Sequence, residues 1–292
     1  MNPTDDSTLR QAESSGKHVR VAIMDMYEGK ANQGMRCIHQ LLREWTIETS
    51  HSIYYDLFDV RLKNELPDNS YDIYISTGGP GDPLASRFED WDINWCRWLD
   101  SILRWNENPS NGKKKHVLFI CHSFQLASRY FNIGVVRKRR STAFGVFPIH
   151  MLEEGKDEPV FAGLKDPFYA VDSRDYQVVH PNRDMLEKTG AKMLCIEKDR
   201  PHVPYERAVM AVRFNEFMIG TQFHPEADAI GMTIHLLTEE KRKTVIENYG
   251  EEKLWSMINH LNDPDKIMWT YSRILPNFFN HAVEQFEPEM VG

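Results

Sequence analysis

The chain has 292 residues, 41% hydrophobic and 27% charged, which is the composition of a globular chain long enough for one large domain, or one domain and an extension, around a sizeable core. Its net charge of −8 argues against a general nucleic-acid binder, since the phosphate backbone rewards basic surfaces. No apolar run approaches a bilayer span and the polar N-terminus has no signal core, so a cytosolic protein without a membrane partner is expected.

Residues 1–17 are polar and expected to be disordered. Residues 18–24 (HVRVAIM) alternate into a buried strand. The polar loop 25–34 that follows is either a plain strand-to-helix connection or a lid at the strand's carboxyl end, where open α/β sheets bind ligands. Residues 35–45 read as a helix, 53–60 as a second strand and 71–76 as a third. That alternation predicts an α/β fold with a doubly wound, mostly parallel, flavodoxin-like sheet. Residues 90–105 read as an aromatic helix carrying Trp91, Trp95, Trp98 and Leu99, which points to core or interface and not to a cofactor.

The apolar run Val117, Leu118, Phe119, Ile120 reads as a buried parallel strand that stops at Cys121. Phe124, Leu126, Ala127, Tyr130 and Phe131 then recur at helical spacing, so Cys121 falls at a strand-to-helix corner. Such a corner exposes the sulfur at the carboxyl end of a sheet near the positive end of a helix dipole, which favours thiolate. Taken alone, the residue reads more readily as a small buried hydrophobe. The other cysteines (Cys37, Cys96, Cys195) follow no metal spacing and read as reduced; no metal or other cofactor is expected.

Two basic runs, 113–115 and 137–140 (RKRR), read as solvated loops, with an anionic acceptor or a partner protein as the alternative for the second. Strands are expected at 143–150, 168–171, 193–196, 208–214 and 216–223, the last two as a hairpin around Asn215. Beyond Glu226 the pattern is helical over 227–237, 239–249, 251–261 and 264–286. Pro264 is expected to begin the last helix and Pro276 to break or kink it. The implied organisation is a tail over 1–17, an α/β domain over 18–230 and a helical C-terminal extension over 231–292 that packs on it.

A cysteine nucleophile needs a base, and the base needs a group to orient its ring. The strand at 217–223 ends in His224, Pro225 and Glu226, which supply both. The loop 77–83 (TGGPGDP) follows the third strand, and its glycines let backbone N–H groups approach a ligand closely. One such N–H, with that of His122, would hold the oxyanion of a tetrahedral intermediate.

Together TGGPGDP (77–83), CHSFQ (121–125), Gly145 and TQFHPE (221–226) resemble the class I glutamine amidotransferase family, such as the glutaminase domains of GMP synthetase and carbamoyl phosphate synthetase. The resemblance covers roughly residues 18–230. It implies Cys121 as nucleophile, His224 as base, Glu226 as its orienter, Gly79 and His122 as oxyanion donors, and Gln125 at the substrate's amino-acid end. The family's Ser-His-x-Asp loop corresponds to Ser173, Arg174, Asp175 and Tyr176, which adds Asp175 and Tyr176 as substrate contacts. The chain departs from the family's Gly-x-Cys-x-Gly elbow by carrying Phe119 and Ser123, and from its histidine by carrying Arg174.

The resemblance implies a glutaminase that releases ammonia through a Cys121 γ-glutamyl thioester. No ATP-using synthetase module is visible in the sequence, so the acceptor would sit on a partner synthetase. A free-standing γ-glutamyl hydrolase, a homoserine-type acyltransferase and a catalytically silent regulatory relative are the alternatives.

Overall fold

The computed structural model describes residues 18–49, 51–263 and 265–286. The expected disordered tail and the helix start at Pro264 lie outside them. Along the chain the elements are β1 (His18–Asp25), α1 (Gln33–Glu48), β2 (Ser52–Asp59), α2 (Val60–Lys63), β3 (Ile73–Ser76), α3 (Asp90–Glu107), β4 (His116–Ile120), α4 (His122–Tyr130), β5 (Val135–Met151), α5 (Glu153–Lys156), β6 (Phe168–Val179), α6 (Arg183–Thr189), β7 (Lys192–Glu197), β8 (Val209–Asn215), β9 (Met218–Thr221), α7 (Ala229–Leu237), α8 (Glu239–Tyr249), α9 (Glu251–Leu261) and α10 (Ile267–Phe286).

The described strands form one sheet in the order β2-β1-β3-β4-β9-β8-β6-β5-β7. β2, β1, β3, β4 and β9 pair in parallel. Alternate residues of these strands feed two cores: Ile23, Ile75, Leu118 and Ile120 pack toward α1 and α10, while Met24, Tyr74, Val117 and Phe119 pack toward α3 and α4. Burial on both faces explains why β3 and β4 read as unbroken apolar runs.

The expectation of a mostly parallel sheet is corrected. From β9 onward every pairing is antiparallel, and β7 returns to pair with β8, so β5, β6, β7 and β8 close into a small barrel-like unit. The physical reason lies in the connections: antiparallel neighbours need only a short turn, and just two residues separate β8 from β9. The RKRR run is likewise no loop, because it lies inside β5. Its charges follow the strand's period of two, with Arg139 turned inward at 9% side-chain exposure and Lys138 and Arg140 exposed.

The aromatic helix α3 is core: Trp95 is fully buried and donates its indole N–H to Ser76 Oγ at 3.1 Å. Among the C-terminal helices, α10 covers the opposite face with Ile274, Leu275, Phe278 and Phe279, all fully buried. It runs through Pro276 without interruption. The proline removes one intrahelical hydrogen bond, and buried residues on both sides of it keep both halves packed on the core.

Phe119 stands where the family pattern has glycine, and the neighbouring strand makes its room. Its register partner on β9 is Gly220. The Phe119 ring meets Trp95 and Phe214 edge-on, each at 5.7 Å between centroids. A Cβ at position 220 would lie 2.8 Å from Phe124, 3.0 Å from Phe214 and 3.3 Å from Phe119 Cβ. Gly220→Ala is therefore expected to destabilise the fold by ~1–3 kcal/mol through overpacking. In urea titrations the double variant Phe119→Ala/Gly220→Ala should lose less than the sum of its single changes; strict additivity would contradict the exchange of volume.

Candidate active site

The site begins with a bend in the backbone. β4 ends at Ile120, and Cys121 adopts φ 47° and ψ −96° before α4 starts at His122. A positive φ at a non-glycine residue costs on the order of 1–3 kcal/mol and persists only where its surroundings over-determine it. Here they do. Cys121 N–H donates to the Thr221 carbonyl of β9 at 2.8 Å, and its own carbonyl accepts from Gln125 N–H at 3.1 Å. The sulfur is thereby held at the N-terminal end of α4, 3.7 Å from the Ser173 carbonyl and 3.8 Å from Gln222 Nε2.

Ser123, at the elbow's second glycine position, is fully buried and serves as a tie. Its hydroxyl contacts the Thr77 carbonyl at 2.6 Å and Ser76 Oγ at 2.8 Å, joining α4 to the end of β3. The glycine loop follows directly. A Cβ on Gly79 would collide with the Met26 carbonyl, and one on Gly78 would sit 2.8 Å from His224 Cε1 and 3.4 Å from Cys121 Cβ. Both glycines are thus demanded by close approach. Gly79 and His122 line the same pocket as Cys121, while the tight fit at Gly78 was not legible in the sequence.

His224 follows β9, the strand next to β4. Its N–H donates to the Val171 carbonyl of β6 at 2.8 Å, which turns the chain beyond β9 toward the pocket. Its Nδ1 lies 2.8 Å from Glu226 Oε1. With that nitrogen protonated toward the carboxylate, Nε2 is left for the sulfur. Glu226 is 1% exposed. Burial opposes protonation of His224, yet the charges of Glu226 and Cys121 and hydrogen bonds to both raise its pKa well above the ordinary histidine value.

The expected substrate contacts divide. Gln125 is buried beside Cys121, where its Nε2 donates to the Tyr176 carbonyl and to Gln222 Oε1, both at 3.2 Å. Asp175 is exposed at the pocket wall and accepts from Thr142 Oγ1 at 2.5 Å. The Tyr176 phenol is pushed up to about 12 by burial and by its hydrogen bond to Asp82. Asp175 and Tyr176 lie in strand β6 and not in a loop. Arg174, in place of the family's histidine, also borders the pocket, but its guanidinium is committed to neighbouring carboxylates. Its Nε donates to both Asp172 oxygens at 2.9 Å, and its side chain is 1% exposed.

The pocket holds about 660 Å³, within the range of small-molecule sites. Two parts of its wall were not assigned from the sequence. The loop after β1 contributes Tyr27 and the first turn of α1 contributes Gly34, while the C-terminal helices contribute Met232, His235, Lys241, Val245 and Tyr249. A signal existed for the first, since the loop follows a parallel strand's carboxyl end. None existed for the second, because helical periodicity reports burial and not what the buried face covers. Among the described residues, no cluster of three or more His, Cys, Asp or Glu side chains is arranged to hold a metal ion, and no helix is long and apolar enough to cross a membrane.

The raised pKa of His224 makes a pH prediction. Its protonation contributes stability that is fully present below the ordinary histidine value of about 6.5 and lost as pH rises through the raised folded value. Glu226→Gln removes a main cause of the shift, so NMR titration should find the His224 pKa lower in the variant. Urea midpoints should also lose their decline with pH above neutrality sooner; identical titrations in both proteins would refute the coupling.

Solved structures share this fold at low sequence identity. A glutamine amidotransferase from Thermotoga maritima superposes with a TM-score of 0.65 at 16% identity, over 91% of this chain and 99% of that one. One from Methylobacillus flagellatus gives 0.58 at 13%, over 94% and 97%. The Trypanosoma brucei CTPS glutaminase domain with bound acivicin gives 0.54 at 15%, over 91% and 94%. No curated protein sequence matches the chain. The family model for glutamine amidotransferase class-I matches residues 32–241, well over half of the chain and a span that contains Cys121, His224 and Glu226. The chain therefore belongs to the class I glutamine amidotransferase family.

Proposed function

We propose that the chain hydrolyses the side-chain amide of glutamine through a thioester on Cys121. The observation that carries this reading is the convergence of Cys121 with the hydrogen-bonded pair His224 and Glu226 in one pocket. The Cys121 thiolate attacks the γ-carbonyl carbon, and the oxygen that gains charge is met by the N–H groups of Gly79 and His122. His224, charged by the shared proton, delivers it to the departing nitrogen, and ammonia leaves. His224 then takes a proton from water, which cleaves the thioester to glutamate and restores the thiol. Glu226 holds the imidazole in the tautomer that this exchange requires.

Gln125, Asp175 and Tyr176 are the proposed contacts for the amino-acid end of the substrate. Gln125 is pinned between β6 and β9, and Asp175 and Tyr176 stand at the pocket wall. The ammonia would be passed to a synthetase on another chain. An acyltransferase or a silent relative is less well supported: the elbow keeps a strained cysteine, and Phe119 and Ser123 are each accommodated without displacing it.

The test is ammonia release from glutamine by the purified chain. Cys121→Ala is expected to lower kcat by at least ~10³-fold, and His224→Ala to act comparably, because members of such a unit fail together. Acivicin, the compound bound in the T. brucei glutaminase domain, should modify Cys121 and leave Cys37, Cys96 and Cys195 unmodified by mass spectrometry. Ammonia release that persists in Cys121→Ala, or labelling spread over all four cysteines, would remove Cys121 from the mechanism.

A further inference from the structure

The reaction above engages only a γ-glutamyl carbonyl and its amino-acid end, yet the cleft continues past the sulfur toward α7 and α8. That outer part has a chemistry of its own. Phe144 of β5 forms its floor. The His235 ring of α7 meets the Phe144 ring edge-on at 6.3 Å, and the Lys241 ammonium of α8 stands 5.6 Å from the same ring. Lys241 is half-buried, whereas the three residues after it on α8 are exposed. Among the described residues its contact is this aromatic one and not an ion pair. Of the carboxylates in the pocket wall, Glu226 pairs with His224 and Asp175 accepts from Thr142.

An ammonium over an aromatic floor, at the wall of a partly desolvated cleft and uncommitted to a carboxylate, suits a short organic anion. Phe144, His235 and Lys241 line the same pocket as Cys121 and His224. We propose that this region is a leaving-group subsite, and that the chain prefers γ-glutamyl amides whose amine carries a carboxylate, such as γ-glutamyl amino acids, over those of neutral amines. The proposal rests on the reading of Cys121 as nucleophile. The step balances without a further reactant: the sulfur–carbon bond forms, the carbon–nitrogen bond breaks, the His224 proton goes to the amine, and water later releases glutamate. With glutamine itself the leaving group is ammonia and the subsite stays unfilled.

The experiment compares γ-glutamylglycine with γ-glutamyl methylamide in the full chain and in Lys241→Ala and Lys241→Glu. The ratio of their kcat/KM values is expected to favour γ-glutamylglycine by about tenfold, equivalent to ~1.4 kcal/mol. It should approach one in Lys241→Ala and reverse in Lys241→Glu. A ratio near one in the unsubstituted chain, or one that survives both substitutions, overturns the subsite. Glutamine turnover that depends on Cys121 without any such preference removes the subsite alone. Failure to turn over glutamine or either amide, with Cys121 unlabelled by acivicin, removes the nucleophile reading and the subsite with it.

Discussion

The parallel pairing of β4 with β9 is the constraint on which the site depends. It sets Ile120 beside Thr221 and lets Cys121 N–H reach the Thr221 carbonyl, so the strained elbow is held by a strand that the chain reaches only much later. The same strand ends three residues before His224. One ladder therefore positions both the sulfur and the imidazole, and the geometry between them inherits the rigidity of the sheet. The bridge from His224 to Val171 adds a second anchor from the antiparallel unit, which places the base between the two kinds of pairing in the sheet.

Buried charge is distributed around this ladder in two ways. Arg129 with Asp92, Arg213 with Glu158 and Arg174 with Asp172 are buried pairs whose partners answer one another, so each desolvated ion has an opposite charge in contact. The first two fasten α4 to α3 and β8 to the segment before β6, while the third lies within β6 itself. The His224 and Glu226 pair differs because it opens onto a pocket and faces a sulfur. Glu226 has one oxygen on His224, and its other oxygen has no protein partner among the described residues. A carboxylate so placed raises the proton affinity of the imidazole, which is the electrostatic asset a cysteine site needs.

The departures from the family pattern show how a fold absorbs local change. A phenylalanine in the strand before the elbow is matched by a glycine on the adjacent strand, so volume is conserved across the ladder and not at one position. Serine at the second glycine position adds hydrogen bonds to the loop after β3. Arginine in place of histidine on β6 borders the cleft, but its guanidinium is committed to Asp172 and Glu197 within the antiparallel unit. The C-terminal helices divide between two tasks: α10 closes the main core, and α7 and α8 wall the pocket.

Local sequence was enough to locate the parallel strands, the cysteine corner and the His-Pro-Glu turn, because each is written in a short contiguous pattern of apolar period, breaker and polar residue. It also sufficed for the bounds of α8 and α9, which Thr238 and Gly250 set off. The direction of the later strands was not legible, since the same alternation serves parallel and antiparallel partners and only the length of the connections distinguishes them. The RKRR strand was hidden because charged side chains mask a period of two that becomes visible only when one face is buried. Which helices cover the pocket, where Arg174 points and how Phe119 finds room were decided by tertiary structure alone, because each depends on residues far away in the chain that packing brings within a few ångströms.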